Sequence, residues 1–193
     1  MDLMLLVTQL VIIGLYLSRF SIARYIPPPI RGFYNRVFTD MKFKIGIWWQ
    51  TIVIPIMISL IFLMGWILFH LTIVSVQATN PIPDNIFYYF LNSGILAPIS
   101  EEIIQCFVLS FAFIIFFNLG KSLKILMNLV ALTLISLLIA LYHFNPTSIN
   151  FSLRFLQFMV YGAVYYLYDR NLFPAIITHS SWNLSLLLLN IQL

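Results

Sequence analysis

The chain has 193 residues, 62% of them hydrophobic and only 8% charged, whereas a soluble domain carries about a quarter charged residues, so no water-soluble surface can be built from it. The formal net charge of +4 does not point to nucleic acid, because the ten Lys and Arg lie between apolar runs rather than along a stripe of interleaved polar residues. A single cysteine, Cys106, excludes an intrachain disulfide and any cysteine-built zinc site.

The apolar residues come in runs of roughly 20, the length a bilayer demands, and predict an all-α, polytopic transmembrane bundle of about six helices. The first run, Leu3 to Phe20, has no basic residue before it and reads as a retained helix rather than a cleaved signal peptide. From Ser21 to Lys44 the chain holds Arg24, Arg31, Arg36, Lys42 and Lys44 among aromatic and aliphatic residues, with Pro27-Pro28-Pro29 blocking a continuous helix. That pattern predicts a basic segment lying on the membrane surface. The run from Ile45 to Val76 is longer than a span needs, with Trp48 and Trp49 at interfacial positions and Pro55 as an expected kink. His70, among Phe69, Leu71 and Ile73, has no polar companion and reads as interfacial or structural. After a loop without Lys or Arg, Gln77 to Asn85, come Ile86 to Leu96, an expected break at Pro98, and four more runs: Glu101 to Asn118, Ile125 to Tyr142, Phe151 to Tyr168 and Pro174 to Ile191. Grouping Arg19 to Lys44, Lys121 with Lys124, and Arg170 on one side places nine of the ten cations there, the cytoplasmic side by the positive-inside rule, and leaves Arg154 opposite. With six spans both termini face outward. The domain reading is 1–94, membrane helices with the basic segment, and 95–193, a helical core.

Ionisable groups inside a bilayer cost at least about 2.5 kcal/mol each on insertion scales, so each one in this chain needs a reason. Glu101 and Glu102 stand side by side at the expected start of a helix, where a bland reading has them solvated among headgroups and favoured by the helix dipole. His143 closes the next run. His179 and Asn183 lie one turn apart in the last run and share a helix face, which predicts either an inward polar site or an interhelical hydrogen bond.

Taken together, the glutamate pair, the histidine closing an aromatic-rich helix and His-x-x-x-Asn resemble the three motifs of the CAAX protease and bacteriocin-processing family, CPBP or Abi, of intramembrane glutamic peptidases. The approach from Gly162 to Tyr166 and from Asn171 to Ile176 also resembles the family, and the likeness covers roughly residues 95 to 189. It implies an endopeptidase that cleaves a peptide or membrane-associated protein precursor. Glu101 would activate water, His143 would help hold it, and His179 with Asn183 would stabilise the oxyanion. The implied partners are that substrate and the lipid bilayer, with no nucleic acid and no cofactor, and the small size of the chain suggests a bacterial plasma membrane. The family's first motif is Glu-Glu-x-x-x-Arg, and here the arginine position is Cys106, a small buried residue rather than a nucleophile, since an apolar setting raises a thiol pKa. Glu102 therefore needs another partner, and Arg154 is the expected substitute.

Two other readings stand beside this one. Two Glu and two His could ligate zinc, although neighbouring residues of a helix point about 100° apart and chelate poorly. Alternatively, loss of the motif arginine suits an inactive or weakly active adaptor of the same fold, such as an immunity or regulatory protein. A transporter is disfavoured by the lack of internal repeats or paired broken helices. Depth also constrains the site: at 1.5 Å per residue Glu101 lies about 30 Å from Lys121, but His179 only about 13 Å from Arg170. A common site requires the hairpin at Lys121 to project beyond the membrane, or the last helix to tilt.

Overall fold

The computed structural model describes residues 3–73, 86–143 and 149–188, and these are helical almost throughout. In chain order the elements are α1 (Leu3–Leu17), α2 (Arg19–Ile22), a 3-10 turn (Ala23–Tyr25), α3 (Pro28–Asp40), a π-helical turn (Trp49–Val53), α4 (Ile54–Ile73), α5 (Ile86–Tyr89), a second π-helical segment (Phe90–Leu96), α6 (Ala97–Ile115), α7 (Lys121–His143), α8 (Ile149–Leu167) and α9 (Leu172–Leu188). Trp49–Leu68, Phe90–Ile115 and Lys121–His143 are each long and apolar enough to cross a membrane, and α1 with the turn after it, bent by 65°, makes a fourth if counted as one span. Within the described residues α8 and α9 do not meet that measure; α8 carries Arg154 and Gln157, and α9 is 17 residues long. Each expected apolar run nevertheless contains a helix among the described residues, and a multi-pass all-α bundle is the architecture. The expected loop 77–85 lies outside the described residues, as does the His70 side chain.

The prolines do different work from what the sequence suggests. Pro28 and Pro29 fill the first turn of α3, where a missing N–H costs nothing, so the triple proline starts a helix as well as ending one. Pro98 does not break the chain: the π-helical segment and α6 run on as one span, Phe90–Ile115. Glu101 and Glu102 consequently lie inside a long helix, not at a solvated helix start, which removes the headgroup reading of the pair. Widened turns lie upstream of both Pro55 and Pro98, and such π-turns re-route the backbone bonds that a proline cannot make.

Helix packing centres on α6, which contacts α1, α3, α7, α8 and α9. Cys106 and Leu109 of α6 are fully buried and meet Ala131, Leu132 and Ile135 of α7 and Tyr165 of α8 in one cluster. A second cluster joins Leu63 and Trp66 of α4 to Phe158, Tyr161, Trp182 and Leu186. Gly162 lets α8 close on its neighbours: a Cβ there would sit 2.3 Å from Leu132 Cδ1, 3.0 Å from Gln105 Nε2 and 3.2 Å from Leu109 Cδ1.

At one end of the bundle the chain after α3 is pinned to the α8–α9 turn. Lys42 pairs with Asp169 and Arg170 with Asp40. Asn171 Oδ1 accepts from the Lys44 N–H at 3.0 Å, and its amide donates to the Lys44 carbonyl at 2.8 Å. Asp169 and Arg170 both adopt left-handed backbone, φ 54° and 60°, an uncommon conformation for non-glycine residues that these contacts hold in place. Hydrogen bonding to Lys42 lowers the Asp169 carboxyl below its usual range, whereas burial raises that of Asp40 against the opposing charge of Arg170. The Phe113 ring lies 5.5 Å from that of Tyr166, and Lys124 and Asn128 line a hollow with Asp169 and Arg170. Lys42, Lys124 and Arg170 thus lie together at this end of the bundle. Arg170 lies level with Phe113 and Asn128, so the α6–α7 hairpin projects beyond it and counting from Lys121 overstates the depth of Glu101.

Gly162→Ala is expected to lower stability by roughly 1–3 kcal/mol through overpacking, and Leu132→Ala in the same chain should recover part of that loss; thermal unfolding in detergent micelles measures both. A group whose folded pKa is lowered stabilises above its unfolded pKa and loses that contribution as pH falls through the folded value. Asp169→Asn should therefore melt below wild type at pH 7, and the gap should close in acid below the ordinary carboxylate range.

Candidate active site

Because adjacent helical residues turn by about 100°, the two glutamates face different neighbours. Glu102 is fully buried and points at α9, where its Oε1 lies 2.8 Å from His179 Nδ1. Glu101 keeps 27% side-chain exposure and reaches both imidazoles: Oε1 is 3.7 Å from His143 Nε2, and Oε2 is 3.7 Å from His179 Nε2. Three helices therefore deliver Glu101, Glu102, His143 and His179 to one place.

Each ring is oriented by its other nitrogen. His143 Nδ1 lies 2.9 Å from the Ile139 carbonyl, which can only accept, so Nδ1 carries a proton and Nε2 is the atom turned to Glu101. With Glu102 ionised, His179 Nδ1 donates to the carboxylate and presents Nε2 to Glu101 in the same way. Tyr161 fixes the plane of the His179 ring, stacking on it at 4.4 Å with an 18° tilt. Glu101 Oε2 and His179 Nε2 are buried atoms with no hydrogen-bond partner among the described residues. At 3.7 Å they are too far apart for a direct bond but suitably spaced to share one small polar molecule.

The remaining expected residues are placed as follows. Asn183, one turn beyond His179, donates through Nδ2 to the Ser93 carbonyl at 2.8 Å and so ties α9 to the π-helical segment before α6. Arg154, at the start of α8, interacts electrostatically with Glu101 and His143, whereas Glu102 meets His179. Cys106 is completely buried in the helix cluster. Gln105 was not singled out by its sequence context, yet its amide donates to the Phe158 carbonyl at 2.7 Å and ties α6 to α8 beside the site. Tyr161 was missed too, although its position between Arg154 and His179 in an aromatic-rich helix is the available signal. Among the described residues no three His, Cys, Asp or Glu side chains are disposed to hold one metal ion.

The exposed side of Glu101 and His143 opens on a cavity of about 430 Å³ between α1, α6 and α7, walled mostly by aliphatic side chains. A carboxylate flanked by two imidazoles, next to an apolar cavity large enough for a few side chains, is an arrangement suited to acid–base chemistry on a hydrophobic molecule.

The model of the type II CAAX prenyl endopeptidase Rce1-like family matches residues 83–185, just over half the chain. The chain belongs to this family. Glu101, Glu102, His143, His179 and Asn183 all fall inside the matched region, while α1, α3 and α4 precede it. Searches of curated proteins and of solved structures returned no match. Membership makes this a CAAX-protease-type membrane fold, and the family is one of proteases acting on peptide or protein substrates in a membrane setting.

The Glu102–His179 pair is fully buried, so cutting it leaves a donor unsatisfied. Glu102→Ala should cost about 1–3 kcal/mol, and Glu102→Gln, whose side-chain oxygen still accepts from Nδ1, should cost less; chemical unfolding of the two variants tests the order.

Proposed function

We propose that the protein is an intramembrane endopeptidase in which Glu101 activates a water molecule. The observation that carries this reading is the convergence of one partly exposed carboxylate with two imidazole Nε2 atoms, each 3.7 Å away. Peptide hydrolysis needs a base for water and donors for the oxyanion. A water held between Glu101 and His143 would give its proton to the carboxylate as its oxygen attacks the scissile carbonyl. His179 Nε2 would then face the developing oxyanion as a donor when protonated, and Glu102 beneath it stabilises that imidazolium. Asn183 has two N–H groups on its amide, and the one not engaged by Ser93 serves as a second donor. The carboxyl proton would pass to the leaving amine. Arg154 supports the cluster by offsetting its negative charge.

The reaction in this reading needs no cofactor; zinc held by the two Glu and two His is the minority form, and activity that survives strong chelators separates them. The substrate would be a peptide or membrane-associated protein precursor, and the setting a bacterial plasma membrane. An inactive or weakly active adaptor, as in bacteriocin immunity or regulation, is the second reading, favoured by Cys106 in place of the motif arginine.

Glu101→Ala and His179→Ala, expressed at wild-type levels, are expected to reduce cleavage by about 10²–10⁴-fold. Comparing the membrane proteome of cells carrying wild type or Glu101→Ala should reveal accumulated uncleaved precursors, and identical proteomes would favour the adaptor.

A further inference from the structure

The helix that completes the cavity, α1, lies outside the family-matched region, and it carries a polar residue whose placement nothing in the fold explains. Thr8 and Gln9 are the only strongly polar side chains in Leu3–Leu17. Thr8 is exposed and satisfies its hydroxyl within its own helix, on the Met4 carbonyl at 2.8 Å. Gln9 instead turns inward, 4% exposed, and lines the same cavity as Glu101 and His143. Its Oε1 is buried with no hydrogen-bond partner among the described residues. Gln105, on the facing helix, lines the cavity as well, and its Oε1 is likewise unpartnered while its amide is held by the Phe158 carbonyl.

An unpaired buried amide is costly, and an apolar residue at position 9 would pack here without that cost. Two facing acceptors in an otherwise aliphatic cavity call for a ligand that brings N–H donors together with apolar surface. An extended peptide does this: its side chains fill the aliphatic space, and its backbone must find partners where there is no water. Glutamine suits the role because one side chain can both accept from a peptide N–H and donate to a peptide carbonyl.

Resting on the peptidase reading, we propose that Gln9 is a substrate-positioning residue. Its side-chain amide pairs with one peptide group of an extended, apolar substrate segment beside the scissile bond, with Gln105 Oε1 as a second acceptor. The substrate is thereby held by its main chain between α1 and α6, and selectivity falls on apolar side chains that fit the cavity.

The test uses the full-length protein in detergent micelles and a panel of fluorescent apolar peptides, each also made with single backbone N-methyl groups. Binding is measured in a Glu101→Gln background and cleavage in the otherwise native chain. Gln9→Leu is expected to weaken binding of the best peptide roughly tenfold, the scale of one lost buried hydrogen bond. In cleavage it should raise KM with kcat nearly unchanged. N-methylation at one position should weaken binding to the Gln9 protein but add nothing in Gln9→Leu. Gln9→Met, with matched melting temperature, controls for packing. Equal binding by Gln9 and Gln9→Leu, an identical N-methyl penalty in both, or no binding by any panel peptide would overturn the proposal. If the peptides bind with the expected pattern yet the native chain cleaves none of them, the peptidase reading fails and Gln9 stands as a peptide-binding residue.

Discussion

The buried contact between Glu102 and His179 is the constraint around which the bundle is arranged. Both side chains are almost wholly removed from solvent, and in a hydrocarbon setting neither could be tolerated without the other. Satisfying them fixes the rotation of α6 relative to α9. That rotation in turn leaves the neighbouring carboxylate, Glu101, between the Nε2 atoms of His143 and His179 and open to the cavity. One interhelical hydrogen bond thus sorts two adjacent glutamates into a structural and a chemically available residue. The division follows from helical geometry: about 100° separates consecutive side chains, so the two carboxylates meet different nitrogens of His179 and only Glu101 also lines the cavity.

The surrounding packing keeps this arrangement in register. Gly162 allows α8 to approach α6 and α7 closely, which brings Tyr161 over the His179 ring. At the far end, the paired charges of Lys42, Asp169, Arg170 and Asp40 tie the basic surface segment to the α8–α9 turn. Between these ends Ser110 and Tyr165 hydrogen-bond across α6 and α8. Polar contacts therefore occur at several levels of a bundle that is otherwise aliphatic and aromatic, and each one restricts sliding of helices that apolar contact alone would leave poorly specified.

Much of this was legible in the sequence because polar residues are so rare in it. The all-helical class and the meeting of Glu101, Glu102, His143 and His179 follow from asking why an apolar chain retains those groups. What could not be read was relative depth. Lys121 and Arg170 do not mark one plane, because Arg170 lies level with Phe113 and Asn128 and the α6–α7 hairpin extends past the α8–α9 turn. Pro98 misled for a local reason: early in an α-helical stretch, with a widened turn before it, proline lacks no bond that the helix needs. Glu102 needs no cation in place of the motif arginine, since an imidazole N–H satisfies it without a full positive charge. Gln9 gave only a faint signal, one turn pair from Tyr16 on the inner face of a run that otherwise reads as plain lipid-facing helix.

The π-helical segment Phe90–Leu96, gripped by Asn183 at Ser93, has a mechanical consequence. Wide turns hold one more residue than an α-helix would over the same rise. Tightening them would swivel the chain on their N-terminal side by about 100°, while Glu102, clasped by His179, stayed in place. The segment is thus a swivel joint in its geometry: a one-residue change of register there is absorbed without disturbing the aim of the acid it leads to.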